Sequence, residues 1–590
     1  MRVPRSPSVS FPPLRREFSG YGLKPFSNDL LAAFAVALMT IPQSIAYSLL
    51  AGLPPTAGLY SAIFGTIFTA ALGSSRHLIS GPSTGVAILI QTSIADILYN
   101  YFDTIEGAAR DDLVLHILGQ IVLLSGLIQI GAAFFNVSKL LQFVSRPVIL
   151  GYFMGIMMAI YINQFYYFFG IPSQGPDVSQ VFKAWKFLAH LQLTDWKTLL
   201  IGLGTLGLLL LIRKRKSWKI LPDALFVLVI ASLIVYALSH WLVNAPLTPT
   251  LETFGLTDHP LPKLTLPLVD FWLINKIFAA AVAIAFLATL EVFSISRHFS
   301  ARSGQQIQVN QDVLGLGAGN FVLSFLIGSM PASGSATRTS VNFNAKAKTR
   351  LAAIFSGFFT AAIVFFGWPL VQHIPLASLA ALLIASAPVL VDFKEVKLSM
   401  RTTTEDRWVF LLTFVSCLIF SLDIAFFIGI VISIGTYLRR SAIPHLVEYA
   451  FNAKGRLMTI GPKEEVHRKV RIIGIAGDLY FGSADVFQSA LQSVASDPNV
   501  QAIVLRLNNV YHMDASMCLA IQQLHETLAL TKRHLVISGL TEEVWHVFHR
   551  AGLVKQIGLE NLYFTDESNP QFSTWKACLH AQEQIHRDIG

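Results

Sequence analysis

No charged side chain occurs between Leu30 and Ser75, and apolar runs separated by short polar stretches recur from there to Arg440. A hydrocarbon core admits backbone only where its N–H and C=O groups are paired, so such runs have to become membrane-spanning helices. Composition agrees: 53% of the 590 residues are hydrophobic and 13% are charged, with a mean hydropathy of +0.56. That excludes an ordinary soluble protein.

Pro42 and the stretch 52–55 split the first region into a span containing Pro42-Gln43 and a second over about 56–72. An interrupted helix opens in HLISGPSTGVAILIQ (77–91), and further spans are predicted near 113–135, 147–169, 197–212 and 221–239. After a Pro-containing polar stretch (244–268) they resume near 271–296, 312–328, 335–348, 351–369, 375–391, 407–421 and 423–438. The count is about fourteen, several being shorter than the ~20 residues of a full crossing.

Charge placement tests that count. Arg76, Lys139, Arg146, the run RKRKSWK (213–219), Arg297, Arg302, Lys346, Lys348, Arg350, Lys394, Lys397 and Arg401 fall on alternate loops. Arg439-Arg440 close the last span on the same side, while the opposite loops carry Asp103, Glu106, Asp111 and Asp112. By the positive-inside rule this predicts a multi-pass protein of the cell (inner) membrane with both termini cytoplasmic. The net charge of +9 is then a topology signal, which argues against a nucleic-acid partner. Cys417, Cys518 and Cys578 show no CxxC spacing, so neither a disulfide framework nor a metal site is indicated. The basic, Pro-rich start is not expected to be a cleaved signal peptide.

Met330 to Asn342 read MPASGSATRTSVN, between the apolar runs 322–327 and 351–368. Small polar residues, Pro and Gly survive at membrane depth only inside protein or against water. Pro331 and Gly334 can break the chain, and Ser335 and Thr337 suit the first turn of a new helix. Such a helix start aims N–H groups and a positive dipole end into a cavity, which suits an anion. Arg338 stands in that turn; the alternative is an interfacial loop whose Arg snorkels to phosphate.

SGPSTG (80–85), with Ser83 and Thr84, resembles SMPASG (329–334). Their prolines are 249 positions apart (331 − 82), and paired interruptions in two halves point to a transporter's midplane site. Seven segments per half require the halves to be inverted. The same offset sets Glu291 opposite Pro42-Gln43 (291 − 249 = 42).

Glu291 is the only charge between Lys276 and Arg297. An intramembrane carboxylate marks an ion or proton path or pairs a cation, here a plain Glu291–Arg338 pair. Gly202, Gly204 and Gly207 spell GxGxxG inside an apolar span, where close helix packing explains them better than a nucleotide. His546 and His549 have no metal spacing.

Beyond Arg440 the chain alternates strands (470–477, 502–507, 534–540) with amphipathic helices (514–530, 542–551), predicting a small α/β domain. Asp514 and Thr541 are the expected N-caps and Gly552 a helix stop. Ser516 is a candidate phosphorylation site at a helix N-terminus, set against a mundane first-turn residue. The boundaries read as a cytoplasmic N-terminal segment 1–27, a membrane domain 28–440, a linker 441–465 and an α/β domain 466–590.

At this point the chain resembles the SulP family of anion permeases with a cytoplasmic STAS domain. The resemblance rests on IPQSIAYSLLAGLPPTAGLYSAI (41–63), SSRHLISGPSTG (74–85), ATLEVFSISRHF (288–299), VNQDVLGLGAGN (309–320) and MPASGSATRTSVN (330–342), with Tyr480-Phe481 and Asp514-x-Ser516 in the STAS region. It implies an α-helical membrane domain of about fourteen segments in a seven-plus-seven inverted repeat, with short strands leading into half-helices three and ten, and often a homodimer. By position, Gln43, Ser83, Thr84, Ser335, Thr337 and Arg338 would line the anion pocket, and Glu291 would couple transport to a cation or tune its charge. Ala515 stands where regulatory STAS proteins commonly have Ser or Thr, which weakens the case for Ser516.

The expectation is secondary active transport of sulfate by alternating access. Bicarbonate, chloride or a dicarboxylate is the alternative substrate, and a membrane-anchored STAS interaction protein is the alternative class. No nucleophile–base set indicates an enzyme, and no cofactor is expected beyond a coupling ion, H+ or Na+. A homodimer and a cytoplasmic partner of the STAS domain are the expected associations.

Overall fold

The computed structural model describes residues 21–102, 107–136, 144–172, 179–214, 223–240, 248–251, 263–265, 267, 270–441, 445–452, 455–460, 469–566 and 569–589. Most of the N-terminal segment, Asp103, Glu106, Lys139, residues 215–219 of the basic run, most of 244–268 and parts of the expected linker lie outside the described residues. The chain divides into two compact units, Met1–Ser433 and Ile434–Gly590.

In chain order the apolar segments are α1 (Leu23–Leu50), α2 (Pro55–Leu72), α3 (Thr84–Tyr101), α4 (Ala108–Phe134), α5 (Arg146–Phe169), α6 (Trp196–Lys214) and α7 (Asp223–Leu238). The second set is α8 (Phe271–Ser303), α9 (Val309–Leu323), α10 (Ala336–Asn344), α11 (Leu351–Val371), α12 (Leu376–Ser386), α13 (Thr404–Ile419) and α14 (Leu422–Ser441). Among the described residues eight helices are long and apolar enough to cross a membrane, or up to nine if the bent pair Leu376–Leu390 and Phe393–Thr402 is one span. The six others among the predicted fourteen, α3, α7, α9, α10, α12 and α13, are helical but do not pass as full crossings. Two further helices of the first unit, Gln180–Ala189 and Phe393–Thr402, were not expected, nor were Phe481–Ala495 and Phe572–Ile589 of the second. The first two are short and mix charge with apolar residues, so they read as loop; Asp392 caps Phe393–Thr402, accepting from Lys394 N at 2.9 Å.

Two-residue strands lead into the interrupted helices. β1 (Ser80–Gly81) pairs antiparallel with β2 (Ser333–Gly334), Ser80 opposite Gly334 and Gly81 opposite Ser333. Equivalent pieces of the two halves thus meet head to tail, as an inverted repeat demands. The strands begin 253 positions apart (333 − 80), and the helix caps Ser83 and Ser335 lie 252 apart (335 − 83). Matching the prolines at 249 is therefore out of register at the breaks themselves.

Buried side chains fix the extended pieces, because backbone without a helical ladder has to find partners. Asn320 on α9 accepts from Ala332 N at 2.7 Å, donates to Ala332 O at 3.2 Å and donates to Gln129 of α4 at 2.8 Å. Thr339 accepts from Ile79 N at 3.0 Å, and Asn342 donates to His77 O at 3.0 Å. At one end of α9, buried Asp312 accepts from Ser74 N at 2.6 Å and Ser75 N at 2.9 Å. Asp29 holds the loop before α11 through Lys348 N at 2.6 Å and the Thr349 hydroxyl at 2.6 Å.

The second unit carries strands β3 (His445–Phe451), β4 (Leu457–Thr459), β5 (Val470–Leu479), β6 (Ala502–Met513), β7 (His534–Leu540) and β8 (Leu562–Phe564), in sheet order β4-β3-β5-β6-β7-β8. β5 to β8 run parallel, and β3 and β4 are antiparallel additions from the stretch expected to be linker. Period-2 alternation explains its two cores. Ile473, Ile475, Ile503 and Leu505 face one layer with Phe487 and Leu524, while Ile472, Val504 and Val536 face Ala577 and Ala581. Asp514 accepts from Met517 N at 3.1 Å, Thr541 accepts from Val544 N at 3.4 Å, and Gly552 ends its helix at φ 78°.

Candidate functional site

α3 and α10 both start where a serine ends an extended strand. Ser83 accepts from Val86 N at 3.4 Å, and Ser335 accepts from Arg338 N at 3.4 Å. Each hydroxyl satisfies one of the four N–H groups that a helix start leaves outside its ladder. The others, at Thr84 and Gly85 and at Ala336 and Thr337, belong to the two positive dipole ends. Ser335 and Thr337 hydroxyls stand 3.3 Å apart.

Arg338 is 0% exposed and reaches across to the other half, where its Nη2 donates to Pro82 O at 2.6 Å. Its Nε and Nη1 have no hydrogen-bond partner among the described residues. This excludes the snorkelling alternative, since the guanidinium lies inside protein. It also leaves two charged donors buried without a protein partner among the described residues. Gly81 makes the approach possible: its φ is +136°, and a Cβ there would lie 2.7 Å from Arg338 Nη1.

Glu291, half-buried on α8, accepts from the Ser333 hydroxyl of β2 and also faces the Ser83 hydroxyl. It makes no ion pair with Arg338. The carboxylate is bonded by the Ser333 hydroxyl and the guanidinium by the Pro82 carbonyl rather than by each other. Gly85 lets the first turn of α3 come close, a Cβ there falling 3.1 Å from Glu291 Oε1.

Gln43 is buried on α1 and its Oε1 has no partner among the described residues. Tyr47, one turn further on the same face, is also buried and presents its hydroxyl to Thr84. Tyr47 was missed in the sequence, although its spacing of four from Gln43 was a usable signal. The structure thus gathers Gln43, Ser83, Thr84, Ser335, Thr337, Arg338 and Glu291 around one crossing of two broken helices. Ser516 belongs to the second unit, half-buried in the first turn of the helix Ala515–Leu530.

Known proteins are similar to this chain in sequence and in fold. A model of the sulfate permease family matches residues 26–413, and a STAS-domain model matches residues 462–568. Sulfate transporter 4.1, chloroplastic, of Arabidopsis thaliana is 26% identical over 559 residues, covering 91% of this chain and 78% of its own. Sulfate transporter 1.2 of the same plant is 25% identical over 581 residues, covering 92% of this chain and 85% of its own. In fold, the murine Solute Carrier 26 family member A9 anion transporter in the inward-facing state superposes with a TM-score of 0.84 at 20% identity, covering 99% of this chain and 97% of that one. With broken helices meeting over a buried arginine, and the family match running through both of them, the chain belongs to the sulfate permease family of membrane anion transporters and carries a STAS domain.

Proposed function

We propose that the chain is a secondary active transporter that carries sulfate by alternating access, with Glu291 as the residue that couples transport to protons. One observation carries the anion site: Arg338 is fully buried yet keeps Nε and Nη1 without protein partners, beside two helix N-termini. A buried charge without its full set of bonds is costly, and an anion supplies what is missing. Relatives named as sulfate transporters align along nearly the whole chain, which favours sulfate over bicarbonate, chloride or a dicarboxylate. A carboxylate held by serine hydroxyls, which can donate or accept, can gain and lose a proton without a ligand cage. Sodium would want more oxygen ligands. The protein acts as a homodimer in the inner membrane with both termini cytoplasmic, and the STAS domain meets a cytoplasmic partner.

Uptake of labelled sulfate into proteoliposomes under an inward proton gradient, an inward sodium gradient or neither tests the reading. The proton gradient is expected to stimulate uptake by the wild type and not by Glu291→Gln. Equal gradient dependence in both proteins would remove Glu291 from coupling. Uptake of labelled bicarbonate without sulfate would transfer the site to that anion.

A further inference from the structure

The helix Phe393–Thr402 carries an outward face that contact with water alone does not explain. Asp392 caps its start, and Thr403 alone separates it from α13. Arg146, at the start of α5, grips Glu395 through Nη2 to Oε1 at 2.7 Å and Nε to Oε2 at 2.9 Å. The helix is therefore level with one end of a full membrane crossing, on the side where the Lys- and Arg-bearing loops gather.

Helical geometry sets Phe393, Lys397, Arg401, Lys394 and Leu398 in that order round one face. All of them are exposed, Phe393 at 53% and Leu398 at 66%. The opposite face is closed: Val396 packs on the core of the first unit, and Ser399 is buried. The neighbouring carboxylates have other tasks. Asp392 accepts from Lys394 N at 2.9 Å and Glu395 N at 3.3 Å, while Glu395 belongs to Arg146. Glu405 and Asp406 stand in the first turn of α13, at its positive dipole end. Among the described residues, no hydrogen bond or ion pair holds the side chains of Lys394, Lys397 and Arg401.

Three cations without carboxylate partners, flanked on both sides by large apolar side chains, match the chemistry of a lipid headgroup and its chains. Long Lys and Arg stems lie along acyl chains while their charged heads reach phosphate. Trp408, 57% exposed in the second turn of α13, supplies the aromatic anchor expected at such a boundary. We propose that this face binds an anionic phospholipid, with Lys394, Lys397 and Arg401 on the headgroup phosphate and Phe393 and Leu398 against the acyl chains.

The test titrates purified full-length protein in neutral detergent with a fluorescent phosphatidylglycerol or phosphatidylcholine. The wild type is expected to prefer phosphatidylglycerol. The triple variant Lys394→Gln, Lys397→Gln, Arg401→Gln should lose about a hundredfold of that affinity and keep its phosphatidylcholine binding. Lys397→Gln alone should lose about fivefold, and it decides if the triple variant shows no cooperative melting curve. Phe393→Ser with Leu398→Ser should weaken both lipids, and glycerol 3-phosphate should not compete. Wild-type phosphatidylglycerol affinity in the cation variants overturns the proposal. Unchanged lipid affinity in the Phe393 and Leu398 variant also overturns it, as does glycerol 3-phosphate competing as well as the lipid, which would make the face a site for free phosphate.

Discussion

At the residue scale, Gly81 makes room for the guanidinium on which the proposed anion site rests. Its φ of +136° suits only glycine, and a Cβ would lie 2.7 Å from Arg338 Nη1, so Gly81→Ala both strains the backbone and pushes the charge aside. With a strain of about 1–3 kcal/mol at such a position, sulfate affinity is expected to fall by about tenfold or more in a protein that still inserts. Sulfate titration of the purified variant, followed by thermal shift, checks this; unchanged affinity would place the anion away from Arg338. Arg338 and Glu291 were legible in the sequence because a charge inside an apolar run is costly unless it has a partner or a task. Tyr47 was not, because a tyrosine in a span reads as filler.

At the scale of elements, the breaks were visible because Pro and Gly cannot continue a helix, but their pairing was not. The antiparallel register of β1 and β2 depends on contacts between residues some 250 positions apart, and matching prolines missed it by a few residues. What fixes the second break is Asn320, whose amide meets Ala332 N, Ala332 O and Gln129 at once. Asn320→Ala leaves those groups buried without partners, at about 1–3 kcal/mol for each. It is expected to lower the melting temperature and weaken sulfate binding together. Lowered stability with unchanged affinity would show that Asn320 holds α9 but not the site. The helices Gln180–Ala189 and Phe393–Thr402 escaped notice for another reason: with few residues and mixed polarity they give too short a pattern for periodicity to declare.

At the scale of the whole molecule, the two compact units have separate cores, and the STAS unit is expected to fold alone. Its boundary matters. β3 and β4 come from the stretch that reads as linker, because their seven and three residues are interrupted by polar ones, yet β3 covers the edge of β5. A fragment 445–590 should unfold cooperatively, whereas 466–590 exposes the β5 edge and should melt lower or aggregate. Equal melting curves would show that β3 is dispensable. The membrane unit carries the central claim, that sulfate is bound between two broken helices by Arg338. Sulfate binding to purified wild type, Arg338→Lys and Arg338→Ala, each shown to be folded by its melting curve, tests it most directly. The account predicts partial affinity with the lysine and a loss of about a hundredfold or more with the alanine, in line with removing a buried charge from its ion; wild-type affinity in Arg338→Ala would contradict it.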